Sequence, residues 1–122
     1  MSAAVEGARR RRAFRVADGF ALEAWCAVRR LAGPEGALLA GEIRTRLGRS
    51  GAALLAASAA PPGSADEHHG VADARHGLLE ARYLLYLARR VGALDLKAYR
   101  RLTAAHDVAD RELALIAREE RS

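Results

Sequence analysis

Apolar residues recur along this chain at alternating steps of three and four, the spacing that lines one face of an α-helix. Phe14, Ala17, Ala21, Ala24, Val28 and Leu31 make a first such stripe. Gly33-Pro34 then interrupts it, so the pattern predicts a helix over about 14–32 with Pro34 opening the next. Ala40, Ile43, Leu47, Ser50, Leu54 and Ala57 predict a second helix over 34–58, ended by Ala60-Pro61-Pro62-Gly63. Val71, Ala74, Leu78, Ala81, Leu85 and Ala88 carry a third over 64–91. Ser64 is its N-cap, with Asp66 and Glu67 in the first turn to suit the helix dipole. Gly92 stops that helix and Asp95 caps a fourth over 95–120, whose seam is Tyr99, Leu102, His106, Ala109, Leu113 and Ile116. Four helices joined by short links predict an all-α, antiparallel up-down-up-down four-helix bundle.

Two details depart from a plain seam. Helix 2 carries a second stripe of small residues, Ala37, Gly41, Gly48 and Ala52. Interior glycine costs up to about 1 kcal/mol in a helix, so either another helix backbone approaches closely or the helix is locally weak. In helix 3, Tyr83, Leu84, Tyr86, Leu87 and Val91 extend the apolar surface around most of the circumference. One bundle seam cannot hide that much, and a subunit interface is the expectation.

Composition supports the helical reading. Alanine fills 29 of 122 positions, while Val, Ile and Thr together total ten, too few for a sheet protein. The single cysteine, Cys26, excludes an internal disulfide. No apolar run approaches about 18 residues and no apolar core follows the first arginines, so a membrane span and a secretory signal are not expected. The expectation is a cytoplasmic protein without a cofactor.

The net charge of +5 is concentrated. Residues 1–13 hold Arg9, Arg10, Arg11 and Arg12 against Glu6 alone, and read as a basic arm outside a bundle spanning 14–121. Such an arm is either a solvated tail or a phosphate-binding element. Arg75, Arg82 and Arg89 lie seven apart on helix 3, with Tyr86 near their line. Arg44 sits on helix 2, and Arg90, Lys97, Arg100 and Arg101 surround the turn between helices 3 and 4. Rows of arginine contact phosphates and tyrosine stacks on unpaired bases. The alternative is a protein–protein scaffold whose arginines pair with acids or solubilise the surface.

Enzyme chemistry finds little support. The chain has no GxxxxGK[ST] loop, no GxGxxG after a strand and no ExxH pair. His69, Asp73, His76 and Glu80 share one face of helix 3 at a spacing that could hold a divalent ion, or simply face water. His106 occupies a seam position where leucine is expected, which predicts a buried neutral imidazole with one hydrogen-bond partner. Cys26, beside Trp25, Ala27 and Val28, reads as a packing residue.

The run from Gly77 to Asp95 (GLLEARYLLYLARRVGALD) resembles the third helix of a small four-helix-bundle family. That family includes the ribosomal RNA intervening-sequence proteins and the accessory variability determinants of diversity-generating retroelements. Leu39 to Arg44 resembles the start of its second helix, and Asp107 to Leu113 its fourth. Intervening-sequence relatives carry Ser-Ile-Pro-x-Asn-Ile-Ala-Glu-Gly in helix 2, where this chain reads Arg49 to Ala57 without the Pro, Asn or Glu. It therefore looks like a divergent member, nearer the retroelement branch. The resemblance implies a homopentameric barrel that binds RNA or DNA and, on that branch, associates with a reverse transcriptase. It carries over no catalytic residue.

Overall fold

The computed structural model describes residues 3–119. Four helices, α1 (Ala3–Ala27), α2 (Gly33–Ala59), α3 (Ala65–Arg90) and α4 (Leu96–Glu119), account for nearly all of them, and no strand occurs among the described residues. A single 3-10 turn, Val28–Arg30, follows α1. Each helix packs on its chain neighbours and α4 closes the ring on α1, so the four form a four-helix bundle. The most extensive packing is between α2 and α3, followed by α1 with α4.

The predicted seams of α2, α3 and α4 face the interior. Ile43, Leu47, Leu54, Leu78, Leu85, Leu102 and Leu113 form the bulk of the core. Ser50 is buried among them and its hydroxyl donates to the Ala74 carbonyl at 3.2 Å, tying α2 to α3. The helix ends are also where the sequence places them. Ser64 Oγ accepts the Glu67 N–H at 3.2 Å, and Asp95 Oδ1 accepts the Ala98 N–H at 2.7 Å. Past α3, the Ala93 N–H reaches Ala88 O at 2.9 Å and the Gly92 N–H reaches Arg89 O at 3.2 Å. That double closure requires the left-handed backbone of Gly92, φ +78°.

Three expectations are corrected. The first is the basic arm: α1 begins at Ala3, so Arg9 to Arg12 lie within the helix, and Ala13 is fully buried. Alanine and arginine are both strong helix formers, and the bundle supplies partners that the local sequence does not show. (Residues 1–2 of the expected arm, and 120–121 at the other end of the expected bundle, lie outside the described residues.) The second is the register of helix 1. Its buried positions are Ala13, Ala17, Phe20, Ala24 and Val28, whereas Phe14, Ala21 and Leu31 flank the seam half-buried. The α-helix also stops at Ala27 rather than 32.

The third is the small stripe. Ala37, Gly41, Gly48 and Ala52 are exposed, and a methyl group at Gly41 or Gly48 would meet nothing within 4 Å. Close approach instead uses glycines of α3. A Cβ at Gly70 would lie 2.8 Å from Ala57 Cβ and 2.9 Å from Ala53 O, and one at Gly77 would collide with Ser50 Oγ. Two glycines seven apart thus let α3 press its backbone against the small residues of α2.

Candidate nucleic-acid interface

The arginines divide into those committed to the bundle and those left open. Arg10 bridges three elements: Nε is 2.9 Å from Glu67 Oε2, and Nη2 donates to Ala57 O at 2.6 Å and Ala60 O at 2.9 Å. Its guanidinium also covers the Phe14 ring. Arg12 pairs with Glu112 at 3.0 Å, Arg75 with Asp110 at 2.8 Å, and Arg101 with Glu23 at 2.8 Å. Arg82 pairs with Asp107 and donates to His106 Nδ1 at 3.0 Å. Arg44 lies over the Trp25 ring at 4.9 Å and donates to Trp25 O at 3.0 Å. Arg9 is half-buried, while Arg11 is exposed. The expected arginine line on α3 is therefore largely a set of struts to α4, with Arg75 and Arg82 already holding carboxylates.

One end of the molecule collects cations that make no ion pair among the described residues: Arg29, Arg30, Arg89, Arg90, Lys97 and Arg100. Up-down topology brings them together. The end of α1, the start of α2, the end of α3 and the start of α4 all meet here, and the Ala32 N–H reaches Ala93 O at 3.4 Å across the two links. A cleft of about 490 Å³ opens between the 3-10 turn and α4, with Arg29, Arg30, Lys97 and Arg101 on its walls. Glu23 and Asp95 also line it, but Glu23 is paired with Arg101 and Asp95 caps α4. Glu35, in the first turn of α2, is the other acid of this end.

On the α3–α4 side of the bundle stand three tyrosines. The Tyr83 and Tyr86 rings are 6.4 Å apart between centroids, and Tyr86 is 6.4 Å from Tyr99. Arg90 lies over Tyr86 at 5.7 Å and donates to its hydroxyl at 3.2 Å. Of this group, the heptad reading of helix 3 points to Tyr86, and Arg90 lies against it. Arg29 and Arg30 were not anticipated. They lie more than sixty residues from Lys97, and the signal was indirect: the breakers Gly33-Pro34 and Gly92 must fall at the same end of an up-down bundle.

The other candidate residues do not assemble a reactive centre. Among the described residues, no group of three His, Cys, Asp or Glu side chains is placed to hold a metal ion. Of the expected face, only His76 and Glu80 approach one another, at 3.9 Å, and both are exposed. Cys26 is exposed on the edge of the cleft rather than packed. His106 is buried in a T-shaped contact with Phe20 at 5.5 Å between ring centroids, and its Nδ1 lies 3.0 Å from Arg82 Nη1 and 3.7 Å from Asp107 Oδ1.

Burial, first, and the Arg82 charge, second, hold the His106 imidazole below its ordinary value of 6.5, against the opposing pull of Asp110 and Asp107. An unfolded chain therefore takes up a proton near pH 6.5 that the folded chain refuses until lower pH. Stability from this group is complete above pH 6.5 and is lost as pH falls from there through the folded value, by up to about 1.4 kcal/mol per unit. Asp110, held down chiefly by its hydrogen bond from Arg75, adds a second loss below its ordinary 3.8. His106→Leu should flatten the melting temperature between pH 7.5 and 5 while leaving the acid limb, since Arg82 keeps Asp107. Thermal melts followed by circular dichroism test this, and equal slopes for both proteins would refute it.

No protein-family profile, curated protein or solved structure matches this chain. No helix among the described residues is long and apolar enough to cross a membrane.

Proposed function

We propose that this chain is a non-enzymatic, self-associating bundle that binds RNA or DNA through the basic end described above. The observation that carries the reading is the gathering of six cations without ion pairs around one end, beside a cleft and exposed tyrosines. A polyanion neutralised there releases condensed counterions, which drives association without reading sequence. Assembly would use the outward face of α2. Leu38, Gly41, Thr45, Gly48, Ala52 and Leu55 follow heptad-like steps along it, all exposed and all uncharged. Self-association through α2 leaves the α3–α4 face open and multiplies the basic ends, so that weak contacts add through effective concentration. The family resemblance favours five subunits and adds a reverse transcriptase as the protein partner.

The test is the salt dependence of binding. Replacing Arg29, Arg30, Lys97 and Arg100 by alanine should flatten the log–log slope on duplex DNA by up to about 3.6 units, at roughly 0.9 per phosphate contact. Arg12→Ala, which removes an arginine already held by Glu112, should change it by less than one. If the intact protein shows no salt-sensitive binding at low ionic strength, the arginines serve only structure and solubility, and the scaffold reading replaces this one.

A further inference from the structure

Resting on that reading, we infer that the α3–α4 face beside the basic end is a stacking surface for unpaired nucleotides, so that this chain takes single-stranded nucleic acid in preference to duplex. Tyr83 and Tyr86 are 59% and 40% exposed, although both are large rings on a helix whose inner face is fully packed. They stand on one outward stripe of α3 with Arg90, three and four residues apart. Their rings are tilted by 37° to one another, and Tyr86 and Tyr99 by 49°. Neighbouring rings therefore do not stack on each other and hide both faces.

Charge decides which occupant fits. An apolar helix of another protein would lay its side chains against Arg89, Arg90 and Arg100, none of which has an ion pair among the described residues. A strand of unpaired nucleotides brings an aromatic face for each tyrosine and a phosphate for each arginine. Every base has such a face, so the contact is tolerant of sequence. In a duplex the base faces are covered by their neighbours, and only the phosphates remain to be met. Arg90 adds a planar cation already parked over Tyr86, able to cover a base or turn to a phosphate. The same tyrosines are distinct from the α2 stripe of Leu38, Gly41, Thr45, Gly48, Ala52 and Leu55, which holds no aromatic ring.

Fluorescence anisotropy of the full chain with labelled 20-nucleotide oligo-dT, oligo-U and a 20-base-pair duplex tests the inference. The variants are Tyr83→Leu/Tyr86→Leu, which keeps apolar bulk, and Tyr83→Phe/Tyr86→Phe, which keeps the rings. The leucine pair should weaken oligo-dT and oligo-U binding by about ten- to a hundredfold, leave duplex binding within twofold and leave the salt slope unchanged. The phenylalanine pair should bind like the parent. A leucine pair that binds both single strands normally overturns the stacking surface while the salt-dependent reading stands. A leucine pair with altered oligomer mass in light scattering also overturns it, by assigning the tyrosines to a second copy of the chain. Absence of salt-sensitive binding to all three probes instead removes the underlying reading.

Discussion

Glu67→Ala is expected to lower the unfolding free energy by about 3 kcal/mol. Glu67 is 3% exposed and works at three points. Its Oε1 accepts the Gly63 N–H at 3.1 Å, its backbone N–H is held by Ser64, and its Oε2 faces Arg10. Without the carboxylate, the Arg10 guanidinium keeps two carbonyl acceptors but loses its counter-charge in a site only 16% exposed on the arginine side. Removing one partner of a buried pair leaves the other uncompensated, which costs several times what a surface pair contributes. Arg10→Ala should cost a similar amount, because it strands Glu67 and uncovers the Ala57 and Ala60 carbonyls at the end of α2. The double variant should fall well short of the sum of the two, since each single change already dissolves the pair. For a chain of this size the single changes correspond to a fall in melting temperature of about 10 °C. Chemical denaturation that gives less than about 1 kcal/mol for either variant would show that water, not the pair, solvates this end. Arg10→Ala should also leave the salt slope of nucleic-acid binding within about one unit of the parent, because this arginine is held against Glu67 and the Ala57 and Ala60 carbonyls.

That same pair marks the boundary of what the sequence makes legible. The seams of α2, α3 and α4 can be read directly, because 3–4 alternation, Gly/Pro breakers and N-capping Ser64 and Asp95 are local signals. Glu67 is legible as a first-turn acid three residues after a serine, the reciprocal cap pattern. Its partner is not, since Arg10 lies 57 positions earlier and four successive arginines look like mutual repulsion until the carboxylate is brought to them. Helix 1 fails for a related reason: its seam is mostly alanine, and alanine marks helix without marking which face is inside. Phe20 takes the centre while Phe14 sits at the edge, a difference of register that volume alone decides in three dimensions. Of the candidate site, the residues on one helix were legible through heptad spacing. The fate of each arginine was not, because an acid on a neighbouring helix, Asp110 for Arg75 or Glu23 for Arg101, converts a phosphate contact into a strut.

The glycines of α2 lead to the second large expected effect. Leu38→Glu/Leu55→Glu should convert the assembled protein to single chains at micromolar concentration, with the helix content unchanged. Leu38 and Leu55 are 70% and 73% exposed in the single chain, and the stripe between them is itself uncharged, flanked on one side by exposed Glu42 and Arg49. The only polar side chain there, Thr45, spends its hydroxyl on Gly41 O of its own helix at 3.0 Å. Gly41 and Gly48 carry no Cβ, so an approaching helix can come nearer than side chains would allow, as α3 does on the inner face through Gly70 and Gly77. Burying each leucine contributes about 1.5–3 kcal/mol per subunit, whereas a buried unpaired glutamate reverses the sign and adds several more. Folding is spared because neither position touches the core. Tyr83→Glu provides the contrast: it places the same charge on the exposed face of α3, where the excess apolar surface first pointed to an interface. If α2 is the contact, Tyr83→Glu keeps the parent mass in light scattering and Leu38→Glu/Leu55→Glu does not. The reverse result would move the interface to α3 and take the tyrosines out of reach of any nucleotide, while a parent protein that is already a single chain at micromolar concentration would leave the α2 stripe without a partner of its own kind.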